Sequence, residues 1–116
     1  LTLLERWRDG RRFVVELRLD TDYRGAEGIG WAPVWSVASD GRSISGPGSA
    51  GFDAADIRPS LAAQPRSTIA AVQFLQPDTI RNRRAIGYDM YSEPTRRAAM
   101  DEAQRSVRPT ASGKVV

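Results

Sequence analysis

Two stretches of the chain carry apolar residues in the pattern of β-strands. In residues 28 to 39 the apolar side chains alternate with smaller or polar ones, and one face holds Ile29, Trp31, Pro33, Trp35 and Val37. Residues 68 to 75 are almost continuously apolar, which predicts a central strand. Because proline cannot donate to a sheet, Pro33 indicates an edge strand, a bulge or a strand end. Residues 84 to 90 and 110 to 116 predict two further strands.

Apolar residues are spaced as in a helix near both ends of the chain. Residues 1 to 9 read as a helix, whereas residues 11 to 19 fit either a helix or a strand. A later helix is predicted from residue 93 to 107, capped by Ser92 or Glu93, with Pro94 in its first turn and Pro109 after its end. Its predicted apolar stripe consists of Met100, Ala103 and Val107, with Ala99 beside them, and the charged residues, Arg96 among them, are predicted to face solvent.

The remaining segments read as connections. Asp40-Gly41 is a hairpin-type turn signal, and the Gly, Ser and Pro of residues 41 to 51 predict a mobile loop. Residues 52 to 63 are poorly determined apart from a short helical turn beginning at Pro59, and residues 78 to 83 read most simply as a hairpin loop. Strands and helices together predict an α+β domain.

The composition is typical of a single globular domain. A chain of 116 residues holds one domain, and its 41% hydrophobic and 27% charged residues are ordinary for a globular protein. No apolar run is long enough to span a membrane. Because the sequence does not start with Met, we expect a piece of a longer protein.

The chemistry of the side chains argues against catalysis. There is no Cys, which excludes a Cys nucleophile and a thiolate metal site, and there is no His, the commonest metal ligand and the commonest general base near neutral pH. The carboxylate pairs Asp20/Asp22 and Asp53/Asp56 match no complete cation-binding loop, and we expect solvated turns. No catalytic residue, metal site or cofactor is therefore expected. The net charge of +3 is spread along the chain, so no nucleic-acid partner is expected.

Three segments resemble one known family. Gly28-Ile-Gly-Trp-Ala-Pro-Val34 is similar to a strand motif of the CHASE domain, and Ala85-Ile-Gly-Tyr-Asp-Met-Tyr-Ser-Glu-Pro94 is similar to its most recognisable motif. Ala98-Ala-Met-Asp-Glu-Ala103, followed by Ala111-Ser-Gly-Lys-Val115, matches its terminal helix and strand. The order and spacing agree over most of residues 28 to 116.

The resemblance implies a PAS-like antiparallel sheet with flanking helices, in which residues 1 to 25 are an N-terminal helical part and residues 26 to 116 the core. The ambiguous segment 11 to 19 would then be helix. It also implies the extracytoplasmic, periplasmic part of an inner-membrane receptor, a histidine kinase or a nucleotide cyclase with its output domain outside this chain. A homodimer through the N-terminal helix is expected, with the membrane reached only through flanking spans.

A pocket in such a domain needs few polar groups among apolar walls. The candidate ligand-binding residues are Trp31, Gln73, Tyr88, Met90 and Ser112. The competing interpretation is structural: Tyr88 would pack under the later helix, Asp89 would set the start of that helix by its charge, and Trp31 or Trp35 would be core.

The chain departs from the plant members, whose ligand is a cytokinin. Where those members carry the carboxylate that meets the purine, this chain has Ser67 or Thr68. A cytokinin ligand is therefore not supported. The main functional hypothesis is a small-molecule sensor, and the alternative is a ligand-free dimerisation module. A small enzyme would need a pocketed carboxylate or lysine of shifted pKa, for which the sequence offers no candidate.

Overall fold

The computed structural model describes residues 28 to 115. It has five strands, β1 (Ile29–Trp31), β2 (Val34–Val37), β3 (Ile44–Ser45), β4 (Thr68–Ala70) and β5 (Phe74–Gln76). It has two α-helices, α1 (Ile80–Arg83) and α2 (Pro94–Ser106), and short 3-10 helices at Ser49–Gly51, Ala54–Asp56 and Met90–Ser92. An α+β chain with antiparallel sheets is confirmed. The PAS-like arrangement stays a prediction, and the N-terminal helix with its dimer contact lies outside the described residues.

The strands form two small antiparallel sheets. In one, β1 pairs with β5, so that Gly30 lies opposite Leu75. In the other, β2 lies between β3 and β4, and Trp35 lies opposite Ile69. Each of the two strands predicted with most regularity is therefore divided between the sheets. The break after β1 contains Pro33, so the prediction of a strand end there is confirmed.

The predicted strand at residues 84 to 90 is wrong. A turn occupies residues 84 to 87, and only Tyr88 and Asp89 bridge to other segments, at Arg58 and Ala71. The reason is Gly87, which has φ 90° and donates its N–H to the carbonyl of Val72 at 2.8 Å. A strand cannot continue through a left-handed residue.

The predicted start of the later helix agrees with the structure, whereas its predicted end does not. The helix is confirmed with Glu93 as its N-cap. Val107, predicted to belong to the apolar stripe, lies beyond the helix in a left-handed conformation and is 89% exposed. The predicted strand from residue 110 is also wrong, since residues 109 to 115 have no regular secondary structure.

Two predicted loops are more ordered than expected. Within residues 41 to 51, Ile44 pairs with Val37 in the sheet, and the indole N–H of Trp35 donates to the carbonyl of Pro47 at 2.7 Å. Residues 80 to 83 form α1 in place of a hairpin loop, because the Thr79 side chain accepts from the N–H of Asn82. The Asp40-Gly41 turn between β2 and β3 is confirmed.

The core lies on the inner face of the three-stranded sheet. Trp35 and Ile69 project from paired strands, and Ile57 and Leu61 cover them from the connecting segment. Trp35 also meets the ring of Phe52 with centroids 5.2 Å apart. Trp35 is thus the core tryptophan, as the structural interpretation predicted.

A carboxylate lies at the centre of this arrangement. Asp89 is fully buried, and its Oδ1 accepts from the backbone N–H of Ala70 at 2.8 Å and of Tyr91 at 2.9 Å. Its Oδ2 accepts from Nε of Arg66 at 2.9 Å. Asp89 therefore ties β4 to the start of the 3-10 helix that precedes α2.

Arg66 completes the network. Its side chain is only 10% exposed, and it donates to the carbonyls of Gln64 and Pro59, each at 2.6 Å. A buried charge is tolerated when it is paired and its remaining hydrogen bonds are made. The pair thus closes the loop from residue 59 to 66 onto the end of β4.

We expect Asp89→Asn to lower the free energy of unfolding by about 3 kcal/mol, because it leaves the buried Arg66 cation without its counter-charge. Asp89→Ala should cost more, since two backbone N–H groups also lose their acceptor. Urea denaturation measures both. The matched control is Glu102→Gln, which breaks an exposed ion pair with Arg105 and should leave the urea midpoint nearly unchanged. Equal effects at the two sites would contradict the assigned role of Asp89.

Gly87→Ala and Gly41→Ala form a second test. Both glycines have positive φ, but a Cβ at Gly87 would lie 2.5 Å from the carbonyl oxygen of Asp56, whereas nothing lies within 4 Å of one at Gly41. In chemical denaturation, we expect the free energy of unfolding to fall by roughly 1 kcal/mol in Gly41→Ala and by about 3 kcal/mol or more in Gly87→Ala. Similar losses would mean that the contact with Asp56 does not constrain the fold.

Candidate functional site

A cavity of about 270 Å³ lies between α2 and the segment that follows it. Its lining comes from the 3-10 helix before α2, from α2 itself and from the C-terminal segment, and consists of Met90, Arg96, Ala99, Met100, Ala103, Thr110 and Ser112. Most of these side chains are apolar, and one cation and two hydroxyls are the polar groups. This composition is typical of a small-molecule pocket.

The start of α2 fixes one wall of the cavity. The carboxylate of Glu93 accepts from the backbone N–H groups of Thr95 at 3.0 Å and Arg96 at 2.7 Å. These hydrogen bonds hold the pKa of Glu93 below its ordinary value, because they stabilise the charged form. From this start, residues three and four apart share a face, which brings Arg96, Met100 and Ala103 into one row.

Two tyrosines hold the first turns of α2. The guanidinium carbon of Arg96 lies 5.5 Å from the ring centroid of Tyr88, and its Nη1 donates to the Tyr88 hydroxyl at 3.3 Å. On the neighbouring side, Arg97 stacks over the ring of Tyr91 at 5.6 Å. Burial raises the pKa of Tyr91, and a hydrogen bond with Asp101 adds to the effect. Both contacts fix the rotation of the helix relative to the core.

The opposite wall is the segment after the helix. Val107 reverses the chain with φ 56°, and its N–H donates to the carbonyl of Ala103. The chain then runs back along α2, so that a Cβ on Gly113 would lie 3.2 Å from Cγ2 of Thr95. This close approach brings Ser112 to the cavity.

The predicted site residues divide into two groups. Met90 and Ser112 line the cavity, and Tyr88 supports it through Arg96. Trp31 and Gln73 lie together elsewhere: the N–H of Gln73 donates to the carbonyl of Trp31 at 2.9 Å. Their part in ligand binding stays a prediction.

The second group is a separate polar cluster. The side-chain amide of Gln73 donates to the carbonyl of Gly48 at 2.7 Å. The indole nitrogen of Trp31 is buried and finds no hydrogen-bond partner within residues 28 to 115.

Arg96 is the charged residue of this cavity, and the sequence did not single it out as a site residue. Its charge placed it on the wet face of the predicted helix. The available signal was its position four residues before Met100 and three before Ala99, which puts it in line with the apolar stripe. Thr110, which also lines the cavity, was not singled out either.

Two other cavities offer less to a ligand. One of about 250 Å³ includes Arg66 and Ser67, but the Arg66 cation is already paired with Asp89. Another, of about 470 Å³, is lined by mostly polar surface that includes both Arg42 and Asp53. Their opposite charges leave no net preference for a charged ligand.

The arrangement is suited to binding. Within the part of the chain that the structure describes, no group of three or more acidic side chains could hold a metal ion. Among the same residues, no helix has the length and apolarity needed to cross a membrane.

The comparisons with known proteins give one match. The family model of the CHASE domain matches residues 6 to 116, which is nearly the whole chain. No curated protein matches the chain, and no solved structure does.

The capping carboxylate predicts a pH effect. Because the pKa of Glu93 is lower in the folded chain than its usual value of about 4.3, its stabilisation is present above that pH and is lost as the pH falls through the folded pKa. We expect Glu93→Gln to lose less stability than the wild type between pH 5 and pH 3, measured by urea denaturation. Glu93→Asp keeps the charge and should keep the pH dependence. The same pH slope in all three proteins would rule out this role.

Proposed function

Because this chain belongs to the CHASE domain family, whose members are extracytoplasmic sensory domains of signalling receptors, we propose that it binds a small molecule in the cavity beside α2. The receptor is a transmembrane histidine kinase or nucleotide cyclase, and its output domain lies outside this chain. The domain itself carries out no chemistry and contributes recognition.

One observation supports this proposal above the others. Met90 and Ser112, which the sequence singled out as ligand-binding candidates, lie 22 positions apart in the chain and line the same cavity. A third candidate, Tyr88, positions the cation in the wall of that cavity. The walls are otherwise small or flexible, with Ala99 and Ala103 leaving space and Met100 able to adapt its shape.

The cavity is also well placed to convert binding into movement. One wall is α2, which the contacts of Tyr88 and Tyr91 fix to the core. The other wall, around Thr110 and Ser112, has no regular secondary structure. A ligand that contacts both walls favours the arrangement in which the C-terminal segment lies against α2. It can shift that equilibrium only by its difference in affinity for the two arrangements.

A thermal-shift screen of the 116-residue chain against small extracellular metabolites tests the proposal. A ligand present at a hundredfold excess over its dissociation constant stabilises the folded state by about 2.7 kcal/mol. For a domain of this size, we expect a rise in melting temperature of roughly 10 °C or more.

A matched pair of variants tests the place of binding. Ala103→Leu fills the cavity, and Ala98→Leu adds the same side chain at an exposed position of the same helix. Leucine is a good helix former, so both variants should keep α2. We expect the ligand-induced shift to be lost in Ala103→Leu and kept in Ala98→Leu. A shift that survives in both would move the site elsewhere, and a screen without any stabilising compound would favour the ligand-free dimerisation module.

A further inference from the structure

We propose that the ligand of this cavity is a small monocarboxylate with an apolar body, and that Arg96 binds its carboxylate. The inference rests on the proposed function and adds the chemical class of the ligand. Four of the cavity's lining residues are apolar, and Arg96 is the one ionised residue in its lining. The site is thus built for one negative charge beside an apolar group.

Arg96 has hydrogen-bond donors to spare. A guanidinium carries five N–H donors, and the structure shows one donation by this side chain, from Nη1 to the Tyr88 hydroxyl. Within residues 28 to 115 no carboxylate forms an ion pair with it, and the charge of Arg96 makes only a minor contribution to the lowered pKa of Glu93. Glu93 is the nearest acid along the chain, but both of its oxygens accept backbone N–H groups at the start of α2.

The Tyr88 ring makes Arg96 a rigid anchor. A guanidinium that lies against an aromatic ring and donates to its hydroxyl loses less freedom when it binds a carboxylate than a free side chain would. Bidentate pairing of arginine with a carboxylate is among the strongest hydrogen-bonded contacts available to a protein. Because the Tyr88 contact uses Nη1, other guanidinium donors remain for such a pair.

Arg66, which lines another cavity, differs in this respect. Arg66 is paired with the buried carboxylate of Asp89 and donates to two backbone carbonyls as well. An anion would have to displace Asp89, which has nowhere else to find a counter-charge in the core. The contrast assigns anion recognition to Arg96.

The remaining lining fits the rest of such a ligand. Met90, Met100 and Ala103 provide the apolar surface. Thr110 donates its hydroxyl to the carbonyl of Arg108 at 3.2 Å, and its oxygen can still accept. Ser112 is exposed, so its hydroxyl is available at the rim. A volume of about 270 Å³ favours a compact ligand, a short aliphatic or single-ring acid.

Matched acids and amides provide the test. The probes are hexanoate, benzoate and phenylacetate, each compared with its neutral primary amide by isothermal titration calorimetry at low ionic strength. We expect at least one acid to bind, with its amide weaker by about tenfold or more, because the amide loses the charged contact. Inorganic phosphate and sulfate lack the apolar body and should not bind measurably.

Variants at two arginines show which cation is responsible for binding the acid. Arg96→Gln should weaken binding of the acid by about tenfold or more and leave binding of the amide unchanged. Arg105→Gln removes an exposed arginine of the same helix, which pairs with Glu102 and does not line the cavity, and should change the affinity by less than about twofold. Arg96→Lys keeps the positive charge but loses the planar guanidinium that can pair with both carboxylate oxygens. Its affinity for the acid should lie between that of Arg96→Gln and that of the control variant. The melting temperature of each variant without ligand confirms that it is folded.

The outcomes separate this inference from the proposed function. If acids and amides bind equally, or if Arg96→Gln has no effect while Ala103→Leu abolishes binding, the cavity is the sensor site and the carboxylate assignment is wrong. If a neutral compound from the screen binds in the cavity and no acid does, the cavity is again the sensor site and the carboxylate assignment is again wrong. If the screen and the acids both give no binding to the wild-type chain, the proposed function and this inference are overturned together.

Discussion

The buried ion pair between Asp89 and Arg66 is the interaction on which the rest of the structure depends. Removing both charges from water is costly, and the pair is tolerated because each charge is surrounded by hydrogen-bond partners. Asp89 accepts from two backbone N–H groups as well as from Arg66, and Arg66 also donates to two backbone carbonyls. A network of this kind contributes a unique arrangement of the surrounding segments more than it contributes net stability.

The position of the candidate cavity follows from this network. Tyr88 and Met90 flank Asp89 in the chain, so fixing the carboxylate fixes both neighbours. Tyr88 then meets Arg96 of α2, and Met90 reaches the cavity floor. The core ion pair and the candidate cavity are therefore connected through the consecutive residues Tyr88, Asp89 and Met90. A substitution that removed the hydrogen bonds of Asp89 would therefore allow the lining residues to move, although Asp89 itself does not line the cavity.

Local rules in the sequence predicted a large part of the fold. The Asp40-Gly41 turn, the strand end at Pro33 and the Glu93 cap with Pro94 after it were all read correctly, because each depends on residues close in sequence. For the candidate cavity, the sequence singled out two of the lining residues, Met90 and Ser112, whose part in ligand binding stays a prediction. It missed Arg96, since a charged residue on an amphipathic helix is usually assigned to solvent.

The sequence by itself determined the turn at Asp40-Gly41, the start of α2 at Glu93 and Pro94, and the family to which the chain belongs. Tertiary structure decided that two long strand patterns divide between two sheets, that Gly87 and Asp89 replace a predicted strand with a turn and a buried charge, and that the segment after α2 returns along the helix. The physical reason is the distance in sequence over which each interaction acts. A pattern of period two or 3.6 records the preference of a backbone for its own conformation, whereas pairing between Asp89 and Arg66 or between Arg96 and Tyr88 depends on residues that only folding brings together.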